Sequence, residues 1–229
     1  FEVQFDGTLI QNIPGTSTFR NEGTYRKSAG SATNTIQIAS FINTGTVAAT
    51  SGVIRFLTAT LSASGASNTF SADAGASVLF AQAAAGTYNF NNTTFSGLGP
   101  KTITNSGVTT VTGTIAATNL FHAAGTWQGT ATLNGVLEWT GGTLAPQLTI
   151  ASGSTLKLSG NGAKTLGGGG VFTNAGTVTW TAGQFNLDNN QTFYNLPGAL
   201  FDVQFDGTFI QNVAGISTFR NEGTYRKSA

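Results

Sequence analysis

The sequence predicts an all-β protein folded as a parallel β-helix, that is, a β-solenoid of about ten turns with roughly 20–30 residues per turn. Three observations support this prediction: a recurring turn motif, short runs of alternating apolar and polar residues, and an unusual composition. The 229 residues include 31 Gly and 17 Phe, and only 8% are charged. Disordered chains usually combine high charge with few aromatic residues, so this composition indicates an ordered, strand-rich chain.

The turn motif has an apolar residue, any residue, Asn, any residue, Gly, and then usually Thr. Glycine supplies positive φ at such turns, and Asn is the residue best able to share that role. If the turns stack, each Asn lies above another and the side chains form a hydrogen-bonded ladder along the axis. The clear copies are FRNEGT (19–24), FINTGT (41–46), ITNSGV (103–108), FTNAGT (172–177) and FRNEGT (219–224). The predicted turn and ladder residues are therefore Asn21, Gly23, Asn43, Gly45, Asn105, Gly107, Asn174, Gly176, Asn221 and Gly223.

Short strands are predicted after these turns. Residues 53–58 (VIRFLT), 137–139 (LEW), 156–158 (LKL) and 185–187 (FNL) alternate apolar with charged or polar residues. Such alternation buries one face of a strand and leaves the other in water. Stacked turns would collect Phe and Leu into interior columns, and a spacing of about 4.8 Å gives a rod of roughly 50 Å per 200 residues.

A long duplication sets the domain organisation. Residues 1–29 match residues 201–229 at 24 of 29 positions, with an offset of 200. We therefore expect residues 1–200 to be one full solenoid unit and residues 201–229 to be the start of the next. Since the chain also begins without Met or a signal sequence, we expect it to be a segment of a longer array.

The duplicated segment carries an excess of charge, with six charged residues in positions 1–29 and seven in positions 30–200. Alternation places Phe19 and Tyr25 inward and lets Arg20, Glu22 and Arg26 project. One interpretation is a solvated, solubilising turn. The other is a lateral or end-to-end contact repeated once per unit, made by Arg20, Glu22, Arg26, Arg220, Glu222 and Arg226.

The motif, followed by TVAATSGVIRF (46–56) or TVTWTAGQFNL (177–187), resembles the short repeats of very large bacterial surface proteins. These are the haemagglutinin-type and autotransporter-passenger β-helices. The resemblance implies a right-handed coil located outside the cell or on its outer surface, serving as an adhesin stalk or fibre. An adhesin that binds glycans or a host surface is the alternative function, with Trp127 and Trp139 as first suspects, although core packing is favoured for both.

Charge and composition argue against several partners. A net charge of +1 gives no electrostatic footprint for nucleic acid, and no apolar run is long enough to span a membrane. The absence of Cys excludes disulfides and thiolate metal sites. The expected partner is the chain itself, through end-to-end stacking and lateral bundling.

We expect no enzymatic activity and no cofactor or metal. Asp73, Glu138 and Asp188 are about 50 or more residues apart, whereas glycoside hydrolysis needs two carboxylates at one cleft. The pairs Glu2/Asp6 and Asp202/Asp206 are interpreted as surface charges. A carbohydrate-active β-helix enzyme is kept as a lesser alternative.

Two further features are interpreted as structural. His122 is the only histidine, so it cannot anchor the usual zinc sites, and it is predicted to face solvent or lie at a turn. The segment 159–170 (SGNGAKTLGGGG) is predicted to be a connecting loop. It lacks the phosphate-binding frame because Ala163, not Gly, precedes Lys164.

Overall fold

The computed structural model describes residues 1–11, 15–81, 86–145, 147–188 and 190–229. These residues form 28 strands and no helix, so they contain no helix that is long and apolar enough to cross a membrane. Each short strand pairs in parallel with the strand three positions further along the chain, as β3–β6, β4–β7 and β5–β8 do. Three strands therefore complete one turn, and the predicted β-solenoid of about ten turns is confirmed.

The coil has three faces, each a parallel stack of strands. Face 1 contains β1 (Glu2–Val3), β4 (Thr24–Lys27), β7 (Thr46–Ala49), β10 (Thr69–Ala72), β13 (Thr94–Ser96), the middle of β15 (Val108–His122), the middle of β16 (Thr126–Trp139), β18 (Gln147–Ile150), β21 (Val171–Asn174), β24 (Thr192–Asn195) and β27 (Thr218–Asn221).

The other two faces are built in the same way. Face 2 contains β2 (Gly7–Ile10), β5 (Thr33–Gln37), β8 (Val53–Phe56), β11 (Ser77–Phe80), β14 (Lys101–Ile103), the ends of β15 and β16, β19 (Thr155–Leu158), β22 (Thr177–Trp180), β25 (Leu200–Val203) and β28 (Thr224–Lys227). Face 3 contains β3 (Thr18–Asn21), β6 (Ser40–Asn43), β9 (Thr60–Ala63), β12 (Thr87–Asn91), the starts of β15 and β16, β17 (Gly142–Leu144), β20 (Lys164–Leu166), β23 (Phe185–Leu187) and β26 (Phe209–Ile210).

Strands β15 and β16 each run round all three faces. β15 pairs with β12 through residues 108–112, with β13 through 116–117 and with β14 through 120–122. The chain bends at residues with positive φ, including Gly113 (70°) and Asn119 (50°). Glycine and asparagine are the residues that tolerate this conformation, which is why the bends fall there.

The core is a set of side-chain columns along the axis, because stacked strands in register put like positions above one another. Most strands show the alternation of partly exposed and buried residues that one-sided burial predicts. Phe56 and Phe80 stack with ring centroids 5.4 Å apart. The inward column of face 2 contains Leu9, Ile36, Phe56, Phe80, Ile103, His122, Trp139, Leu158, Trp180 and Val203. Burying each large apolar side chain contributes roughly 2–3 kcal/mol, so the columns are the main source of stability.

Candidate functional site: the asparagine corners and the charged segment

The first asparagine ladder runs along the corner between faces 3 and 1. Asn21 Nδ2 donates to Asn43 Oδ1 (2.7 Å), and Asn43 Nδ2 donates to Asn68 Oδ1 (3.1 Å). Asn68 Nδ2 then donates to Thr93 Oγ1 at 2.7 Å. All four side chains are buried, so each bond satisfies polar atoms that are shielded from water. Asn68 lies outside the motif used for prediction, since no Gly follows it at the required spacing.

A second ladder runs along a different corner, between faces 1 and 2. Asn174 Nδ2 donates to Asn195 Oδ1 (2.8 Å), and Asn195 Nδ2 donates to Asn221 Oδ1 (2.7 Å). Asn195 was missed because its Gly follows three residues later rather than two, in NLPG. The apolar-x-Asn half of the motif, FYN at 193–195, was the signal that could have found it.

Asn105 lies at the third corner, between faces 2 and 3, and has no asparagine partner among the described residues. Its Nδ2 donates to Gly86 O and Val108 O, each at 3.4 Å, and its Oδ1 accepts from the Gly107 amide at 3.1 Å. The motif therefore serves all three corners of the coil. This explains its irregular spacing, because a copy that moves to another corner is no longer a whole number of turns from the previous one.

The motif glycines lie where stacked corners approach each other closely. A Cβ on Gly45 would lie 2.1 Å from Gly23 O, and one on Gly176 would lie 2.4 Å from Ala151 O. The two copies of the first motif glycine differ, because a Cβ on Gly23 would meet nothing within 4 Å whereas one on Gly223 would lie 2.3 Å from Leu196 O. Only Gly223 has a preceding turn stacked against it.

The charged side chains of the duplicated segment pair within their own copy. Arg20, Glu22 and Arg26 are exposed, and Tyr25 is buried, as alternation predicts. Hydrogen bonds from Ser28 and Arg26 lower the pKa of Glu2 to about 2. The first-copy pairs are Arg20–Glu22 (2.5 Å), Arg26–Glu2 (2.8 Å) and Lys27–Asp6 (2.9 Å). The second-copy pairs are Arg220–Glu222, Arg226–Asp202 (2.8 Å) and Lys227–Asp206 (3.0 Å).

The second copy also contacts the turn that precedes it. Tyr194 Oη donates to Glu222 Oε2 at 2.5 Å, and the Arg220 guanidinium lies 4.5 Å from the centroid of the Tyr194 ring. Asp188 Oδ1 accepts a hydrogen bond from the backbone N–H of Asn212 at 2.6 Å. Asp188 and Tyr194 of one unit thus hold the first turn of the next one in place.

The two copies lie on different faces of the coil. β3 is on face 3 but its copy, β27, is on face 1; β4 is on face 1 but its copy, β28, is on face 2. The same shift takes β2 on face 2 to β26 on face 3. The predicted contact residues Arg20 and Arg220, Glu22 and Glu222, and Arg26 and Arg226 are therefore displaced by one face as well as by one unit.

Three buried lysines were not predicted as structural residues. Lys101 Nζ donates to the carbonyl oxygens of Ser96, Gly97 and Gly99 at 2.8, 2.9 and 2.7 Å. Lys164 Nζ donates to Gly160 O, Gly162 O and Ala182 O. Lys27 Nζ bonds Asp6, Ala29 O and Gly30 O. Each ammonium group donates hydrogen bonds to backbone carbonyl oxygens that point inward at a corner of the coil.

The segment 159–170 is organised around one of these lysines. It was predicted to be a loop throughout, but Lys164 to Leu166 form β20 and the Lys164 side chain is buried. Because the ammonium group is bound to corner carbonyls, it is not presented to a phosphate.

The prediction that His122 faces solvent or lies at a turn is wrong. It lies at the end of β15 in the inward column of face 2, fully buried between Ile103 and Trp139. Its Nε2 lies 3.3 Å from Thr143 O, and its Nδ1 has no partner. Burial lowers the pKa of His122 to about 3, so the imidazole is neutral at pH 7.

The other candidate residues are dispersed. Trp127 and Trp139 are 1% and 0% exposed, so both pack in the core. Asp73 is exposed after β10, Glu138 is on face 2 beside Lys157, and Asp188 is buried after β23. Within the described residues, no three His, Cys, Asp or Glu side chains group closely enough to hold a metal ion.

Comparison with protein-family models, curated proteins and solved structures finds no match for this chain.

Proposed function

We propose that this chain is a structural, non-enzymatic segment of a long repetitive fibre. The observation that carries the proposal is the duplicated 29-residue segment, which forms the same coil at both ends of the described structure. In the first copy the following turns cover it, and in the second copy the preceding turns support it. Together the two copies provide both sides of a junction between units, and neither side differs in kind from the stacking inside a unit.

The proposed role is mechanical. Parallel backbone pairing joins every turn to the next, and the side-chain columns and asparagine ladders run along the axis. A coil of this kind resists bending because any bend must separate stacked strands on one face. Self-association through tandem units is the only partnership the proposal requires.

We place the fibre outside the cell or on its outer surface. This rests on the resemblance of the repeats to those of very large bacterial surface proteins. The adhesin alternative gains no support from Trp127 and Trp139, since neither reaches the surface. The carboxylates suggested for an enzyme lie on different turns and faces.

The test is a two-unit chain, made of residues 1–200 followed by residues 1–229. We expect small-angle scattering and electron microscopy to show a rod longer than the 229-residue chain by about 45 Å, at about 4.8 Å per turn. The matched control carries Phe19→Asp in the second copy of the segment, which should interrupt the stack. A two-unit chain that forms two separate globules, or one compact particle, would contradict the proposal.

A further inference from the structure

We infer that the uncovered end of the coil, residues 209–229, is the docking surface for a copy of residues 30–63, which continues the unit that residues 201–229 begin, and that this unit is rotated by one face of the coil. The inference rests on the proposed function, because it requires units in tandem. It adds the identity of the docking segment and the orientation of each unit relative to the last.

The end surface is apolar. Trp180, Phe201, Phe209, Phe219 and Tyr225 line an open cavity of about 440 Å³, with Asn221 as its polar lining residue. Tyr225 is 54% exposed and Phe209 is 40% exposed. A contiguous apolar surface at the open edge of a parallel stack marks a place where further chain pairs.

The first copy identifies the segment that covers this surface. Tyr25 is 1% exposed, against 54% for its copy Tyr225, because β7 stacks on β4 and pairs Val47 with Tyr25. Phe19 stacks on Phe41 with ring centroids 5.3 Å apart. The Tyr25 hydroxyl also donates to Asn34 Oδ1 at 2.6 Å.

The same turn fits the second copy because the contacting residues are the same or similar. Phe219, Asn221 and Tyr225 repeat Phe19, Asn21 and Tyr25, and Leu9 is replaced by Phe209, one apolar residue by another. Asn221 would continue the second ladder by donating to the copy of Asn43, as Asn21 donates to Asn43. In the first copy, strands β5, β6 and β7 of residues 30–63 make the pairings with residues 1–29.

The rotation follows from counting strands. Nine successive pairings on face 1 lead from β4 to β27. The copy of β4 is β28, which follows β27 on the next face. One unit therefore advances nine turns and one face, so three units are needed before the segment returns to its starting face.

This geometry determines where charge appears on the fibre. In each successive unit, the segment containing Arg20, Glu22 and Arg26 lies on the next face of the coil. It returns to the same face after three units, which is 28 turns or about 135 Å. A second fibre lying alongside would meet the charged segment only at every third unit.

The docking test measures amide hydrogen exchange over residues 218–227 in the 229-residue chain and in the two-unit chain. We expect at least 100-fold slower exchange when a copy of residues 30–63 follows. Phe41→Asp placed only in the second unit is the matched control and should abolish most of that protection. If the two-unit chain forms the longer rod but its exchange over residues 218–227 is unchanged, the assignment of residues 30–63 as the docking segment is wrong. The fibre proposal would still stand in that case.

The orientation test uses a four-unit chain. Because the sequence has no Cys, Thr24→Cys in every unit gives one gold-cluster label per unit for electron cryomicroscopy. Thr24 and Thr224 are both exposed, so the label should not disturb the stack. We expect labels on successive faces, with the first and fourth on one face; labels confined to a single face along an extended rod would overturn the rotation alone. A chain that forms no extended rod would instead contradict the proposed function.

Discussion

Lys101 shows how single residues stabilise the corners of this coil. Its side chain is fully buried, and its ammonium group donates to three backbone carbonyls. Burial lowers the pKa of Lys101 to about 8, so the group is still mostly charged at pH 7. The lysine therefore serves as an internal cation for a corner that would otherwise leave acceptors unpaired.

We predict that Lys101→Met lowers the free energy of unfolding by about 3 kcal/mol, because it removes the donor and leaves buried acceptors unsatisfied. Lys157→Met is the matched control, since the Lys157 side chain is 45% exposed and its 3.8 Å pair with Glu138 is on the surface. The control should lose less than about 1 kcal/mol. Chemical denaturation measures both; equal losses would show that the carbonyl contacts of Lys101 contribute nothing special.

We predict that His122 makes the coil sensitive to acid. Since its pKa is about 3 in the folded chain and about 6.5 when unfolded, the folded state binds the proton more weakly. The full stability is present above pH 6.5 and is lost as the pH falls toward 3, by about 4 to 5 kcal/mol. Denaturation between pH 7 and pH 3 should show this loss.

His122→Leu is the control for that prediction, because leucine suits a position between Ile103 and Trp139. The variant should lose less stability over the same pH interval, and the remaining loss reports the carboxylates. Parallel pH curves for the two proteins would show that His122 is not the acid-sensitive group.

At the scale of the element, each corner depends on how closely the backbone of one turn approaches the next. Gly125 has φ +82°, and a Cβ on it would lie 1.8 Å from Asn105 O; Gly153 has φ +77°, and a Cβ there would meet nothing within 4 Å. The two glycines therefore differ in stacking space but hardly in backbone conformation.

We predict that Gly153→Ala costs about 1 kcal/mol of stability, from its positive φ, and that Gly125→Ala costs about 3 kcal/mol or more because two stacked turns must separate. Thermal unfolding of the two variants measures the difference. Similar melting temperatures would mean that conformation, rather than stacking, determines glycine at these corners.

The sequence was sufficient to predict the coil, the inward Phe19 and Tyr25, and the use of Asn and Gly at corners. It was not sufficient to predict which corner each motif occupies, because that depends on the number of strands between copies. Each of the long strands β15 and β16 covers three faces and so takes the place of three short strands. Alternation puts Lys27 on the same side as Tyr25, but a lysine is expected outside unless the carbonyls that bind it are known. The position of His122 was predicted wrongly for the same reason. A polar residue can be assigned to an inward column only when the residues stacked above and below it are known.

At the scale of the whole molecule, the charged segment is the candidate for contact between fibres, and lateral association stays a prediction. We expect neutralisation of the segment to weaken bundling while leaving the coil folded, because three of the four ion pairs that it removes are exposed on both sides and contribute little stability. Only the Arg226–Asp202 pair includes a buried carboxylate. The substitutions are Arg20→Gln, Glu22→Gln, Arg26→Gln, Arg220→Gln, Glu222→Gln and Arg226→Gln.

Electron micrographs and light scattering at low and high salt would measure that bundling. The matched control neutralises a surface pair outside the segment, with Glu138→Gln and Lys157→Gln, and should bundle like the original chain. If the neutralised segment bundles equally well, the charges serve solubility and not assembly.

The shared geometry of junction and interior has a consequence for how the length of such a fibre varies. Where the last turn of one unit meets the first turn of the next, the contacts repeat those of adjoining turns within a unit, as Asn195 with Asn221 and Phe193 with Phe219 show. Removing or inserting a whole unit therefore creates no new interface and leaves no core exposed. The length of the fibre can therefore change in steps of one unit without any change to the stability of the remaining coil.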